Sequence, residues 1–128
     1  MSKTSVNARL AMIQAFANFM DNGSQSATIV FYEGVQPADT SVVADSNNAL
    51  VTLTFPEPCI KETTATYVEL HPTDTGTVIK AGTATWARIY SGAGEVAADL
   101  TVGTDITLAN TNLALGGTLS TTSIKLRP

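Results

Sequence analysis

The spacing of apolar residues changes once along the chain. Val6, Leu10, Ile13, Ala17 and Met20 recur every three or four positions, and Met12, Phe16 and Phe19 widen the stripe. That period predicts an amphipathic helix over residues 5–20. Thr4 or Ser5 can cap its start by accepting a backbone N–H. Asp21-Asn22-Gly23 closes it, with Gly23 suited to the left-handed conformation that helix ends favour. A stripe this wide needs cover, from the chain's own sheet or from a neighbouring subunit.

From Ala27 onward the period falls to two. Residues 27–32 make a short apolar strand, and Glu33-Gly34-Val35-Gln36-Pro37 reads as a turn. Residues 38–48 are polar and irregular. Residues 49–55 alternate, with Leu50, Thr52 and Thr54 on one side and Val51, Leu53 and Phe55 on the other. Pro56 and Pro58 stop that strand, since neither donates to a ladder. Weaker strands are expected over 65–70 and 77–81. Residues 83–90 give the strongest pattern, placing Ala84, Trp86, Arg88 and Tyr90 on one face and Thr85, Ala87 and Ile89 on the other. Ser91-Gly92-Ala93-Gly94 turns that strand into a partner over 95–100. A short strand over 105–108, a turn at Gly116-Gly117 and a closing strand over 118–126 complete the pattern. About seven or eight short strands with regular turn signals predict an antiparallel β-sandwich or jelly-roll-like barrel carrying one N-terminal helix. Without βαβ alternation, no parallel sheet is expected. The 128 residues read as one domain, with helix and cap over 1–23 and the sandwich over 24–128.

Composition narrows the partners. Hydrophobic residues make up 44% and charged residues only 14%, well below the roughly one quarter charged of an average domain. Such a low-charge, Thr- and Ala-rich exterior suits a protein that lies against neighbours. The net charge is −4, and Lys3, Arg9, Lys61, Lys80, Arg88, Lys125 and Arg127 form no run. No nucleic acid and no anionic membrane is expected as a partner. The N-terminus lacks a signal-peptide pattern and no segment approaches 18 apolar residues, so the expectation is a soluble protein made in a cytoplasm.

Candidate chemistry is sparse. One histidine, His71, and one cysteine, Cys59, do not make a zinc site, and no metal or other cofactor is expected. His71 reads as a turn residue before Pro72, and Cys59 as a packed thiol. Gly92-Ala93-Gly94 does not open a helix, which a phosphate loop requires. Asp39, Asp45, Asp74, Asp99 and Asp105 are scattered, without the spacing of a calcium loop. No G-x-S-x-G elbow surrounds any serine. The chain is therefore expected to be no enzyme and to take no small-molecule substrate. Trp86 and Arg88, two apart on one strand, stand out. They form either a core tryptophan under a polar cover or an interface anchor, because Trp, Tyr and Arg dominate protein–protein hot spots. Tyr90 shares their face. These three, with Leu10, Ile13 and Phe16 of the helix stripe, are the candidate interface residues.

The runs ATWARIYSGAGEVAADLTVG and DITLANTNLALGGTLSTTSIKL resemble the C-terminal half of small structural proteins of tailed bacteriophages and prophages. The order NARLAMIQAFANFMDNG, ATIVFYEGVQPAD, NALVTLTFPEPC is also similar to that family, so the likeness spans nearly the whole chain. It implies a virion component, and the motifs leave its place in the particle open; the expected role is a cement or decoration protein on the head, assembled in the host cytoplasm. The implied partners are the major capsid protein or other virion proteins and further copies of itself. Neck, collar and tail positions are alternatives, as is a carbohydrate- or receptor-binding module using Trp86, Tyr32, Tyr67 and Tyr90. The family carries no catalytic residues onto this chain.

Overall fold

The computed structural model describes residues 5–63, 67–104, 106, 108, 110–121 and 124–126. One helix, α1 (Val6–Met20), precedes strands β1 (Thr28–Tyr32), β2 (Ala49–Thr54), β3 (Ile60–Thr63), β4 (Val68–Leu70), β5 (Gly76–Thr77) and β6 (Gly82–Thr83). Then come β7 (Trp86–Tyr90), β8 (Val96–Thr101), β9 (Asn112–Leu113), β10 (Thr118–Leu119) and β11 (Ile124–Leu126). The fold is mainly β and the paired strands are antiparallel, as the period-two patterning predicts.

Ser5 caps α1, its Oγ accepting the Ala8 N–H at 3.2 Å. Asp21 ends the helix, and Gly23 takes φ +101°. Gly23 also meets Gly92 of the β7–β8 turn backbone to backbone, and the Gly92 N–H donates to the Met20 carbonyl at 2.9 Å. A side chain at either glycine would hold the helix end away from the hairpin. The apolar stripe is divided by depth. Ala17 and Met20 are fully buried, Ile13, Phe16 and Phe19 half-buried, and Met12 is 51% exposed. The side chains of Val6 and Leu10 lie outside what the structure describes.

The principal sheet has the order β2-β1-β7-β8. Ile29 lies between Leu53 and Ile89, and Phe31 between Val51 and Ala87. This face packs with Ala17 and Met20 of α1 and with Phe55, Leu70, Val78, Ala84, Leu113 and Ile124 to form the core. A three-stranded sheet, β11-β4-β3, and two pairs, β10-β5 and β6-β9, complete the sandwich-like packing.

Several expected strands are subdivided. Residues 83–90 form two strands, because the chain changes partner between Ala84 and Thr85. The Ala84 N–H donates to the Thr111 carbonyl at 2.9 Å, whereas the Thr85 N–H donates to Tyr32 at 3.0 Å. Ala84 consequently joins the core and does not share the face of Trp86. Residues 118–126 likewise divide between partners β5 and β4. Between these two strands Thr121 exchanges hydrogen bonds with Thr73. Of residues 77–81 only Thr77 is in a strand, β5. The stretch expected over 105–108 contributes one parallel bridge, Val102 to Ile106; Asp105 lies outside the described residues. β3 was not expected from sequence, since Ile60-Lys61-Glu62-Thr63 lacks apolar alternation.

Candidate functional site

Opposite the core, the principal sheet carries a second face built by the same register. Tyr32, Trp86 and Thr101 lie in one row, and Val30, Arg88 and Asp99 in the next. Thr28 and Tyr90 follow. Residues that alternate with the core face must project here, which gathers two tyrosines, the tryptophan and an ion pair in adjacent rows.

The Tyr32 ring stacks on Trp86 with centroids 4.5 Å apart and planes 16° from parallel. The Arg88 guanidinium carbon lies 5.4 Å from the Trp86 centroid, within cation–π range. Arg88 grips Asp99 with two bonds, Nε to Oδ1 at 2.6 Å and Nη2 to Oδ2 at 3.0 Å. Its third bond runs from Nη1 to the Val42 carbonyl at 2.7 Å. The side chains of Arg88 and Asp99 are only 2% and 7% exposed, so this pair is out of water. The Asp99 hydrogen bond holds the Arg88 pKa above its ordinary value despite the opposing effect of burial. Tyr32 and Tyr90 share a hydroxyl–hydroxyl bond of 3.0 Å. Burial, and then that bond, raise the Tyr32 pKa well above the usual phenol range.

A strap, residues 33–48, covers this face. The Thr85 hydroxyl donates to the Gly34 carbonyl at 2.6 Å, and the Thr101 hydroxyl to Gln36 Oε1 at 2.7 Å. Arg88 reaches Val42 beyond them. Trp86 beneath is 3% exposed and Arg88 1%. The Trp86 Nε1–H is buried with no hydrogen-bond partner.

Of the residues singled out from sequence, Trp86, Arg88 and Tyr90 are brought together. Trp86 and Arg88 are covered by their own chain, so the closed molecule presents neither as a surface anchor. Tyr90 is half-buried. Ile13 and Phe16, also half-buried, belong to the helix on the other side of the sheet, where Phe16 packs against the core. The helix residues and the Trp86 group are thus two separate surfaces. Sequence reasoning missed Asp99 as the partner of Arg88 and Tyr32 as the stacking ring. One signal was available, a lone charge inside the otherwise apolar run Val96-Ala97-Ala98-Asp99-Leu100. The β-bulge between Ile89 and Tyr90 shifts the hairpin register and obscured the pairing.

The other reactive residue types have local structural partners. Cys59 is fully buried, its thiol donating to the Ala17 carbonyl at 3.5 Å. Burial, with the nearby Asp21 carboxylate adding to it, pushes the thiol pKa up to about 12. The half-buried His71 donates its backbone N–H to the Cys59 carbonyl at 2.8 Å. Asp39, Asp45 and Asp74 each accept a nearby backbone N–H, from Ser41, Asn47 and Thr54. Ser91 to Gly94 form the expected hairpin turn, the Gly94 N–H donating to the Ser91 carbonyl at 2.9 Å. Among the described residues no three His, Cys, Asp or Glu side chains converge on a metal position. Within those residues, too, no helix is long and apolar enough to cross a membrane. A cleft of about 310 Å³ lies between Val78, Asn110, Asn112, Leu113, Thr118 and Ser120, away from the Trp86 face.

Compared with protein-family models, with curated proteins and with solved structures, the chain finds no match in any of the three.

Proposed function

We propose that this chain is a structural protein of a tailed-phage virion, acting as a cement or decoration protein on the head. The observation that carries the reading is where the polar and apolar groups are used. The charged pair on the sheet is engaged internally, and the thiol is buried and held protonated. The large exposed apolar side chains include Val35 and Val43 on the strap and Ile79 and Leu115 beside β5 and β10. Apolar side chains displayed on a weakly charged surface favour contact with neighbouring protein over turnover of a substrate. In a symmetric shell, repeated modest contacts add through multivalency, so no single contact need be strong. The resemblance of the 84–103 and 105–126 runs to phage structural proteins points the same way.

A glycan-binding role is less well supported. Such a site needs an open ring face, and the Trp86 ring is buried beneath the strap with Tyr32 stacked upon it.

Quantitative mass spectrometry of purified tailed particles from the strain that encodes the chain tests the proposal. Copy number commensurate with the major capsid protein, lost in parallel with the heads on fractionation, is the expected result. Recovery with isolated tails or necks would replace head decoration by the tail alternative. Absence from purified particles would refute the virion role.

A further inference from the structure

The strap over the Trp86 face is fastened unevenly. Near its first end, Gly34 and Gln36 are tied to Thr85 and Thr101, and the Glu33 N–H donates to the Asn48 carbonyl at 3.0 Å. Near its second end, Lys80 Nζ donates to the Asn47 carbonyl at 2.6 Å. Among the described residues, one hydrogen bond ties the span 37–45 to the sheet, Arg88 Nη1 to the Val42 carbonyl. This span also holds itself together. Asp39 accepts from the Ser41 N–H and hydroxyl, and the Val42 N–H donates to the Asp39 carbonyl at 3.4 Å. Val42 is 46% exposed and Val43 89%, so little apolar contact holds the tip down.

We propose that residues 37–45 form a lid that opens on the intact fold and uncovers a platform of Trp86, Tyr32, Tyr90 and Arg88. Opening breaks the Arg88–Val42 bond but leaves both Arg88–Asp99 bonds in place. It also admits water to the Trp86 Nε1–H, whose unsatisfied burial disfavours the closed form. One bond is lost and the Trp86 and Tyr32 rings, 3% and 5% exposed when closed, meet water, against one stranded donor satisfied, so the open form is a minor state of roughly 0.1–10%. The closed lid therefore keeps Trp86 and Arg88, 3% and 1% exposed, out of water. This inference goes beyond the virion reading and does not depend on it.

The single tryptophan makes the test direct. The Trp86 Nε1–H has no hydrogen bond, so its exchange with deuterium reports water access alone. Native-state exchange is followed by NMR through a urea series below the unfolding transition. The indole proton is expected to exchange at least about tenfold faster than the Ile29 and Ile89 amides of the central strands, with a rate nearly independent of urea. An indole proton that follows Ile89 in rate and urea slope overturns the lid, because it opens only with the whole fold. Arg88→Lys keeps a cation beside Asp99 but loses the planar fork that reaches Val42. It should raise the ratio of indole to Ile89 exchange about tenfold. Equal acceleration of both protons refutes the Arg88–Val42 bond as the latch. Should that variant fail to fold, the wild-type comparison still decides the proposal.

Discussion

Removing the carboxylate of Asp99 probes the energetics of the outer sheet face most directly. The Asp99→Ala substitution leaves Arg88, itself 1% exposed, with its Val42 bond and the tryptophan ring but no counter-charge. Breaking a buried ion pair from one side costs about 3–5 kcal/mol, because the surviving charge keeps its desolvation penalty. A domain of this size is stable by about 5–15 kcal/mol, so the loss is a large fraction of the whole. With a urea slope near about 1.5 kcal/mol/M, the unfolding midpoint should fall by about 2–3 M. Replacing both partners, Arg88→Met with Asp99→Leu, removes both charges together. That variant is expected within about 2 kcal/mol of wild type, even though it gives up the Val42 bond and the contact with Trp86. Equilibrium urea unfolding of wild type, Arg88→Met, Asp99→Leu and the double variant, followed by Trp86 fluorescence and by far-ultraviolet circular dichroism, supplies every corner of the double-mutant cycle. A loss under about 1 kcal/mol for Asp99→Ala, or a double variant that equals the sum of the singles, would refute the argument.

Trp86→Ala should lower stability by about 3–5 kcal/mol, since it empties the space beneath the strap and removes the stacking partner of Tyr32; a negligible change in the urea midpoint would contradict core packing at this site. Gly92→Ala should destabilise by about 3 kcal/mol or more, because its Cβ would overlap the backbone of Gln25 and Asn22. Gly94→Ala, at φ +85° with open space around it, should cost only about 1 kcal/mol, and thermal unfolding that ranks the two in the opposite order would be inconsistent with the packing of the helix end on the hairpin. The native Cys59 thiol, raised to about 12, stays protonated where an unfolded thiol ionises near 9.0. The unfolded state therefore binds fewer protons between those values, and the stability present below pH 9 is lost progressively above it. A Cys59→Ala variant should show a flatter decline from pH 9 to 11, and identical pH profiles would count against this origin.

The helix with its start at Thr4 or Ser5, the switch to period two, and the 91–94 hairpin were all legible in the residues. They depend on local periodicity and on a few turn glycines, which short windows of sequence contain. Grouping Trp86, Arg88 and Tyr90 on one face was legible for the same reason, since alternation survives any choice of partner strand. What the group faces was not legible. Only the fold places Tyr32 of a distant strand on the tryptophan ring, and only the bulge after Ile89 puts Asp99 opposite Arg88. Residues 38–48 are polar and irregular by any local measure, yet they roof this face because one guanidinium reaches the Val42 carbonyl. The division of residues 83–90 and 118–126 was equally hidden, because a strand exchanges partners where the surrounding sheets end, and its own sequence carries no mark of that point. Local chemistry thus determined the helix, the main strands of the principal sheet and the 91–94 turn, but not β3 or the points where strands divide. Long-range pairing alone decided whether Trp86 and Arg88 face solvent or their own chain, because burial belongs to the assembled fold and not to a side chain.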